Sequence, residues 1–144
     1  MMPFEIGWIL LSLYEYNNSF NKQHWVAVKR VLRYLKGTID TKICYIKDEN
    51  ENITGYCDAD FASDTYEGKS VTGYVFIMQG GAITWASKKQ PIVALSTTEA
   101  EYMSIGAATQ ECLWLQSLEG ELFKKPKSTT LFSDNQSAIH LASN

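Results

Sequence analysis

At 144 residues, with 45% hydrophobic and 12% aromatic content, the chain is long enough to bury a core, which excludes wholesale disorder. A formal net charge of −3 excludes a protein that coats nucleic acid by bulk charge alone. The charges are unevenly placed: Lys22, Lys29, Arg30, Arg33 and Lys36 crowd one early segment, whereas Asp48, Glu49, Glu51, Asp58, Asp60, Asp64 and Glu67 dominate the middle.

The first stretch, "MMPFEIGWILLSLYEY", has an apolar run, Glu5 at its front and no basic leader region. It is too short to span a bilayer, and Pro3 with Ile6, Ile9, Leu10 and Leu13 at helical spacing predicts a buried helix. After "NNSFN", "KQHWVAVKRVLRYLKG" predicts a second helix with Trp25, Val28, Leu32 and Leu35 on its apolar stripe and Gly37 as its stop. Its basic residues lie on other faces, either as a solvated surface or as a contact for phosphates. Cys44, Cys57 and Cys112 are odd in number, scattered and in apolar surroundings, without CxxC spacing. They read as reduced core thiols of an intracellular, not secreted, protein.

Beyond residue 40 the period changes from helical to alternating. "TKICYIK" (41–47) and "ITGYCDADF" (53–61) are β-rich and predict a hairpin across "DENEN". "SVTGYVFIMQ" (70–79), the "GG" turn and "AITWASKK" (82–89) add two strands. "TEAEYMSIGAATQECLWLQSLEGEL" predicts a long helix with Ser96 or Thr97 as N-cap. "TTLFSD" (129–134) is a short strand, and "NQSAIHLASN" starts a last helix. Antiparallel strands, then a helix, then one more strand describe a mixed α/β sheet whose last strand runs parallel to an earlier one through a right-handed crossover.

Asp58 and Asp134 each stand at the carboxyl end of a strand, where open α/β sheets tend to bind ligands. Strand alternation puts Tyr56, Asp58 and Asp60 on one face, with Cys57, Ala59 and Phe61 on the other. Glu99 and Glu101 point about 200° apart on a helix, so only one can face the sheet. Glu101 continues a stripe through Ile105, Ala108, Cys112 and Leu115, and is chosen. Three oxygen ligands from separate elements suit Mg²⁺, and two such ions about 4 Å apart support phosphodiester hydrolysis. Each acid also has an ordinary alternative: surface charge for Asp60, Asp64 and Glu99, and an N-cap for Asp134. His24 and His140 lie far apart, and no HExxH, phosphate loop or GxSxG elbow is present.

"GYCDADFASD", "KSVTGYVFIMQGGAITWASKKQPIVALSTTEAEYMSI" and "LFSDNQSAIHLA" closely resemble the ribonuclease H domain of copia-type retrotransposon Pol polyproteins. "HWVAVKRVLRYLKGT" resembles the segment that links their reverse transcriptase to that domain. The resemblance implies a ribonuclease H-like mixed sheet with a crossover helix over 41–144, preceded by two helices (1–40) left from the reverse transcriptase connection. It implies two-metal hydrolysis, with two Mg²⁺ or Mn²⁺ ions, of the RNA strand of an RNA–DNA hybrid. The catalytic and metal-binding positions fall on Asp58, Glu101 and Asp134. The hybrid-contacting positions fall on Gln136 and on Ser96, Thr97 and Thr98.

Its implied partners are the hybrid and the reverse transcriptase portion of the same polyprotein, with no membrane, in a cytoplasmic reverse-transcribing particle or the nucleus. The family's fourth carboxylate, last strand and closing helix are expected beyond Asn144. The readings set beside nuclease activity are a non-catalytic nucleic-acid-binding module and an inactive transposon relic.

Overall fold

The computed structural model describes residues 13, 18–47, 52–124 and 128–143. The chain divides into two compact units, Met1–Ile43 and Cys44–Asn144. The predicted first helix lies outside the described residues except for Leu13, which is helical.

Within the first unit, helix α1 spans Lys22–Gly37. Its start is fixed by Asn21, whose side chain accepts from the backbone N–H groups of Gln23 and His24, while the His24 side chain accepts from the Asn21 backbone. Those reciprocal bonds satisfy donors that a helix start otherwise leaves unpaired. The buried face differs from the predicted stripe. Val31 is buried, whereas Trp25, Leu32 and Leu35 are each about half exposed. The more covered positions are His24, Val26, Ala27, Val28, Val31 and Tyr34; all but Val26 share a face turned by one residue, or about 100°, from the predicted stripe, with Val28 common to both.

The second unit is a four-stranded sheet in the order β3-β2-β1-β4. Its strands are β1 (Thr54–Asp60), β2 (Val71–Met78), β3 (Gly81–Lys89) and β4 (Thr130–Phe132). Helix α2 (Thr97–Phe123) and helix α3 (Gln136–Ser143) complete it. β1 is antiparallel to β2 and parallel to β4, and α2 carries the chain across the sheet from β3 at one edge to β4 at the other. This is the mixed α/β sheet with a crossover helix expected from the sequence.

The expected hairpin between 41–47 and 53–61 does not form. Residues 41–47 are exposed and carry no strand. β1 already has β2 on one side and β4 on the other, so it offers no free edge. The segment instead touches the β2–β3 turn, where the Ile46 N–H donates to the Gln79 carbonyl (3.0 Å) and the Tyr45 hydroxyl to the Ala82 carbonyl (2.7 Å). That turn needs two successive left-handed residues, supplied by Gln79 (φ 52°) and Gly80 (φ 78°).

One face of the sheet packs against α2 around Ile53, Cys57, Phe76, Ala108, Cys112 and Leu115. Gly55 is required in that core: a Cβ there would lie 2.5 Å from the Phe76 ring and 2.9 Å from the Leu131 side chain. The other face carries a cross-strand row of Trp85, Val75, Tyr56 and Phe132, in which Tyr56 and Phe132 stack at 5.4 Å. No helix among the described residues is long and apolar enough to cross a membrane.

Candidate metal centre

Asp58 reaches the site because β1 alternates. Gly55 and Cys57 point into the core, and Tyr56 and Asp58 point away from it. Asp134 arrives beside it through the parallel pairing of β4, where Thr54 stands opposite Thr130 and Tyr56 opposite Phe132. Asp134 does not serve as a helix cap, since Asn135 takes that role: its side-chain oxygen accepts the Ala138 N–H at 2.9 Å.

Glu101 is delivered by α2. Ser96 caps this helix, its hydroxyl accepting the Glu99 N–H at 3.1 Å. Ala100, Glu101, Ser104, Ala108, Cys112 and Leu115 then form the buried side. Glu101 faces the sheet and is 7% exposed.

One carboxylate oxygen from each of Asp58, Glu101 and Asp134 lies within 4.8 Å of the others. Asp58 and Asp134 are exposed and Glu101 is buried, so the cluster opens to solvent on one side. Asp58 Oδ1 accepts the Ala59 N–H at 2.8 Å. Glu101 Oε2 is buried without a hydrogen-bond partner. Burial first, then the negative charges of Asp58 and Asp134, push the Glu101 carboxyl up to about 7, against the Ala59 N–H, which lowers it.

These features fit a divalent cation. Mg²⁺ takes oxygen ligands at about 2.0–2.1 Å, which places neighbouring ligand oxygens about 3 Å apart and opposed ones about 4 Å apart. A contraction of roughly an ångström would therefore complete a partial shell, and the open side leaves room for water or phosphate oxygens. The charge would also satisfy the orphaned Glu101 oxygen and remove the repulsion among the three acids.

The remaining predicted positions lie at the starts of α2 and α3. Ser96 is committed to the cap of α2, and Thr97 and Thr98 form the first helical residues, exposed and half-buried respectively. Gln136 is exposed at the first position of α3.

Glu99 and Asp64 do not join the cluster. Glu99 Oε2 accepts the Leu95 N–H at 2.7 Å. Asp64 organises the β1–β2 loop, pairing with Lys89 at 2.8 Å and accepting the Tyr66 N–H at 3.0 Å. The Lys89 contact comes first among the causes that hold its carboxyl below the usual range. Asp60 is exposed and is not in the cluster either.

Cys57 sits directly behind the acids. Burial, followed by the charges of Glu101 and Asp58, pushes its thiol up to about 11, while the Ser133 hydroxyl opposes the shift and Asp134 adds to it.

Two polar residues that sequence reasoning passed over also border the site. The Ser104 hydroxyl donates to the Asp58 carbonyl at 2.7 Å, and the Gln90 side-chain amide to the Ala100 carbonyl at 2.9 Å. Ser104 had a legible signal, since residues 101, 104 and 108 share one helical face. Gln90, after a strand, had none.

No family model matches the chain. Over 123 residues it is 46% identical to the retrovirus-related Pol polyprotein from transposon TNT 1-94 of Nicotiana tabacum, covering 85% of this chain and 9% of that protein. Over 92 residues it is 48% identical to the secreted RxLR effector protein 161 of Plasmopara viticola, covering 64% of this chain and 65% of that protein. Among solved structures, LC11-RNase H1, isolated from compost by a metagenomic approach, aligns with a TM-score of 0.48 and 18% identity, over 65% of this chain and 61% of that one. The chain thus spans less than two thirds of these relatives' own lengths.

Proposed function

We propose, for a chain that is related over most of its length to the Pol polyproteins of copia-type retrotransposons, that its carboxylate cluster is the metal centre of a ribonuclease H. The observation that carries this reading is the meeting of Asp58, Glu101 and Asp134 within 4.8 Å, with a buried, unpartnered Glu101 oxygen among them.

Divalent ions held by these three residues, Mg²⁺ or Mn²⁺ and two in number, would supply Lewis-acid activation for hydrolysing the RNA strand of an RNA–DNA hybrid. Asp58, on β1 between β2 and β4, would be shared by the ions. Glu101 is buried and holds a proton below about pH 7, which it gives up when positive charge arrives. Asp58 and Asp134 face solvent and leave the approach open for a phosphate backbone. Gln136, exposed two residues beyond Asp134, and Ser96, Thr97 and Thr98, one turn before Glu101, would contact the hybrid.

The same reading assigns residues 1–40 to the end of the reverse transcriptase region and 41–144 to the nuclease domain. It makes the rest of the polyprotein a partner and an intracellular reverse-transcribing particle or the nucleus the place of work. The test is cleavage of an end-labelled RNA–DNA hybrid in Mg²⁺ or Mn²⁺. Cleavage that disappears in Asp58→Asn and Glu101→Gln supports the proposal. A folded chain that cleaves in neither metal defeats it and leaves a binding module or an inactive relic.

A further inference from the structure

The apolar core that seats α2 lies along its middle, at Ala108, Cys112 and Leu115. Around Glu101 the buried residues of the helix are small: Ala100 and Ser104, both fully buried. Small side chains leave the height and rotation of a helix loosely set, so other contacts must fix them where Glu101 leaves the backbone.

Two buried polar side chains supply such contacts. Ser104, one turn after Glu101, donates its hydroxyl to the Asp58 carbonyl at 2.7 Å and approaches the Gly73 carbonyl at 3.3 Å. Asp58 and Gly73 are register partners on β1 and β2, so this hydroxyl ties the helix to the residue that carries the first carboxylate. One turn earlier along the same face, the helix meets Gln90, which is 3% exposed. Its side-chain amide donates to the Ala100 carbonyl at 2.9 Å and the Thr72 hydroxyl at 3.0 Å. Its backbone N–H donates to the Ser70 carbonyl at 2.8 Å. The Ala100 carbonyl can only accept, so the amide orientation of Gln90 is fixed by its partner.

We infer that Ser104 and Gln90 are positioning residues for the metal centre, pinning the first two turns of α2 to the sheet at two successive points so that Glu101 meets Asp58 and Asp134. This rests on the reading of the carboxylate cluster as a cation site. Residues that orient metal ligands through hydrogen bonds typically change metal affinity by about 10–100-fold when removed. Ser104→Ala deletes one pin, and Gln90→Met deletes the other at similar volume.

The experiment is isothermal titration of the whole chain with Mn²⁺ at pH 8, with thermal melts of every variant. Cys112→Ala, in the core farther along the same helix, is the control for lost stability alone. Ser104→Ala and Gln90→Met are expected to melt cooperatively and to bind Mn²⁺ at least tenfold more weakly. Cys112→Ala should melt lower and bind as the parent does. Should Ser104→Ala fail to fold, Gln90→Met carries the test. A parent chain that binds Mn²⁺, with affinity unchanged in whichever pin variant folds, overturns this inference alone. A parent that binds no Mn²⁺ overturns it together with the proposed function.

Discussion

Asp58 and Asp134 meet because β4 runs parallel to β1: Thr54 pairs with Thr130 and Tyr56 with Phe132, Asp134 follows two residues after that pairing ends, and one carboxylate oxygen of each lies within 4.8 Å of the other. A slip of one residue in that pairing would turn Asp134 to the other face, because side chains alternate with a period of two. The register is held from behind by Leu131, which pairs with Gly55 and packs toward Phe76 and the core.

Gly55→Ala should therefore disturb both stability and the site. The added methyl would lie 2.5 Å from Phe76 and 2.9 Å from Leu131, closer than side chains tolerate. Overpacking of this kind costs about 1–3 kcal/mol. Chemical denaturation should show that loss, and Mn²⁺ titration of the folded variant should show weaker binding, because moving Leu131 moves β4 and Asp134 with it.

Glu101 predicts a pH dependence with a definite sign. Its carboxyl is raised from 4.5 to about 7, so between those values the folded, metal-free chain holds a proton that the unfolded chain releases. This contribution to stability is fully present below about pH 4.5 and is lost as pH rises through 7. Glu101→Gln should consequently melt higher than the parent at pH 8 without metal, with the gap narrowing toward pH 4.5. In the parent, Mn²⁺ affinity should climb as pH passes through about 7.

The two central strands, the long helix and a cap at Ser96 or Thr97, of which the structure uses Ser96, were legible because each carries a local signal: alternation, helical spacing or a hydroxyl before a helix. The choice of Glu101 over Glu99 was legible for the same reason, since only one of two acids 200° apart can share a face with Ala108 and Cys112. Three features were not legible. The fate of "TKICYIK" depended on which edges of β1 were already taken, which is a property of the sheet and not of the segment. The buried face of α1 was misplaced by one residue because Trp25, Val28, Leu32 and Leu35 form as good an apolar pattern as Ala27, Val28 and Val31. Gln90 carries no pattern at all, for its role exists only once β2 and α2 are brought together.

Asp64 offers a contrast with the three clustered acids. Its low carboxyl pKa, caused first by Lys89 and next by the Tyr66 N–H, means that its contribution exists above the ordinary carboxylate range and disappears as pH falls. Asp64→Asn should lower the melting temperature at pH 7, with the difference from the parent shrinking in acid. Its Mn²⁺ affinity should equal the parent's, because its charge is spent on Lys89 and the β1–β2 loop.

Thiol reactivity gives an independent check on the interior behind the site. Cys44 is exposed, whereas Cys57 and Cys112 are buried and the Cys57 thiol is pushed up to about 11. Alkylation of the native chain at pH 8 followed by mass spectrometry should label Cys44 first. Cys57 and Cys112 should react only after denaturation.

The most direct test of the cation site is a crystal of this chain soaked in Mn²⁺ and measured for anomalous scattering. The account predicts a peak bounded by carboxylate oxygens of Asp58, Glu101 and Asp134, and no peak there in a Glu101→Gln crystal. A Glu101 side chain turned to bulk solvent, or manganese bound elsewhere with those three acids apart, would contradict it.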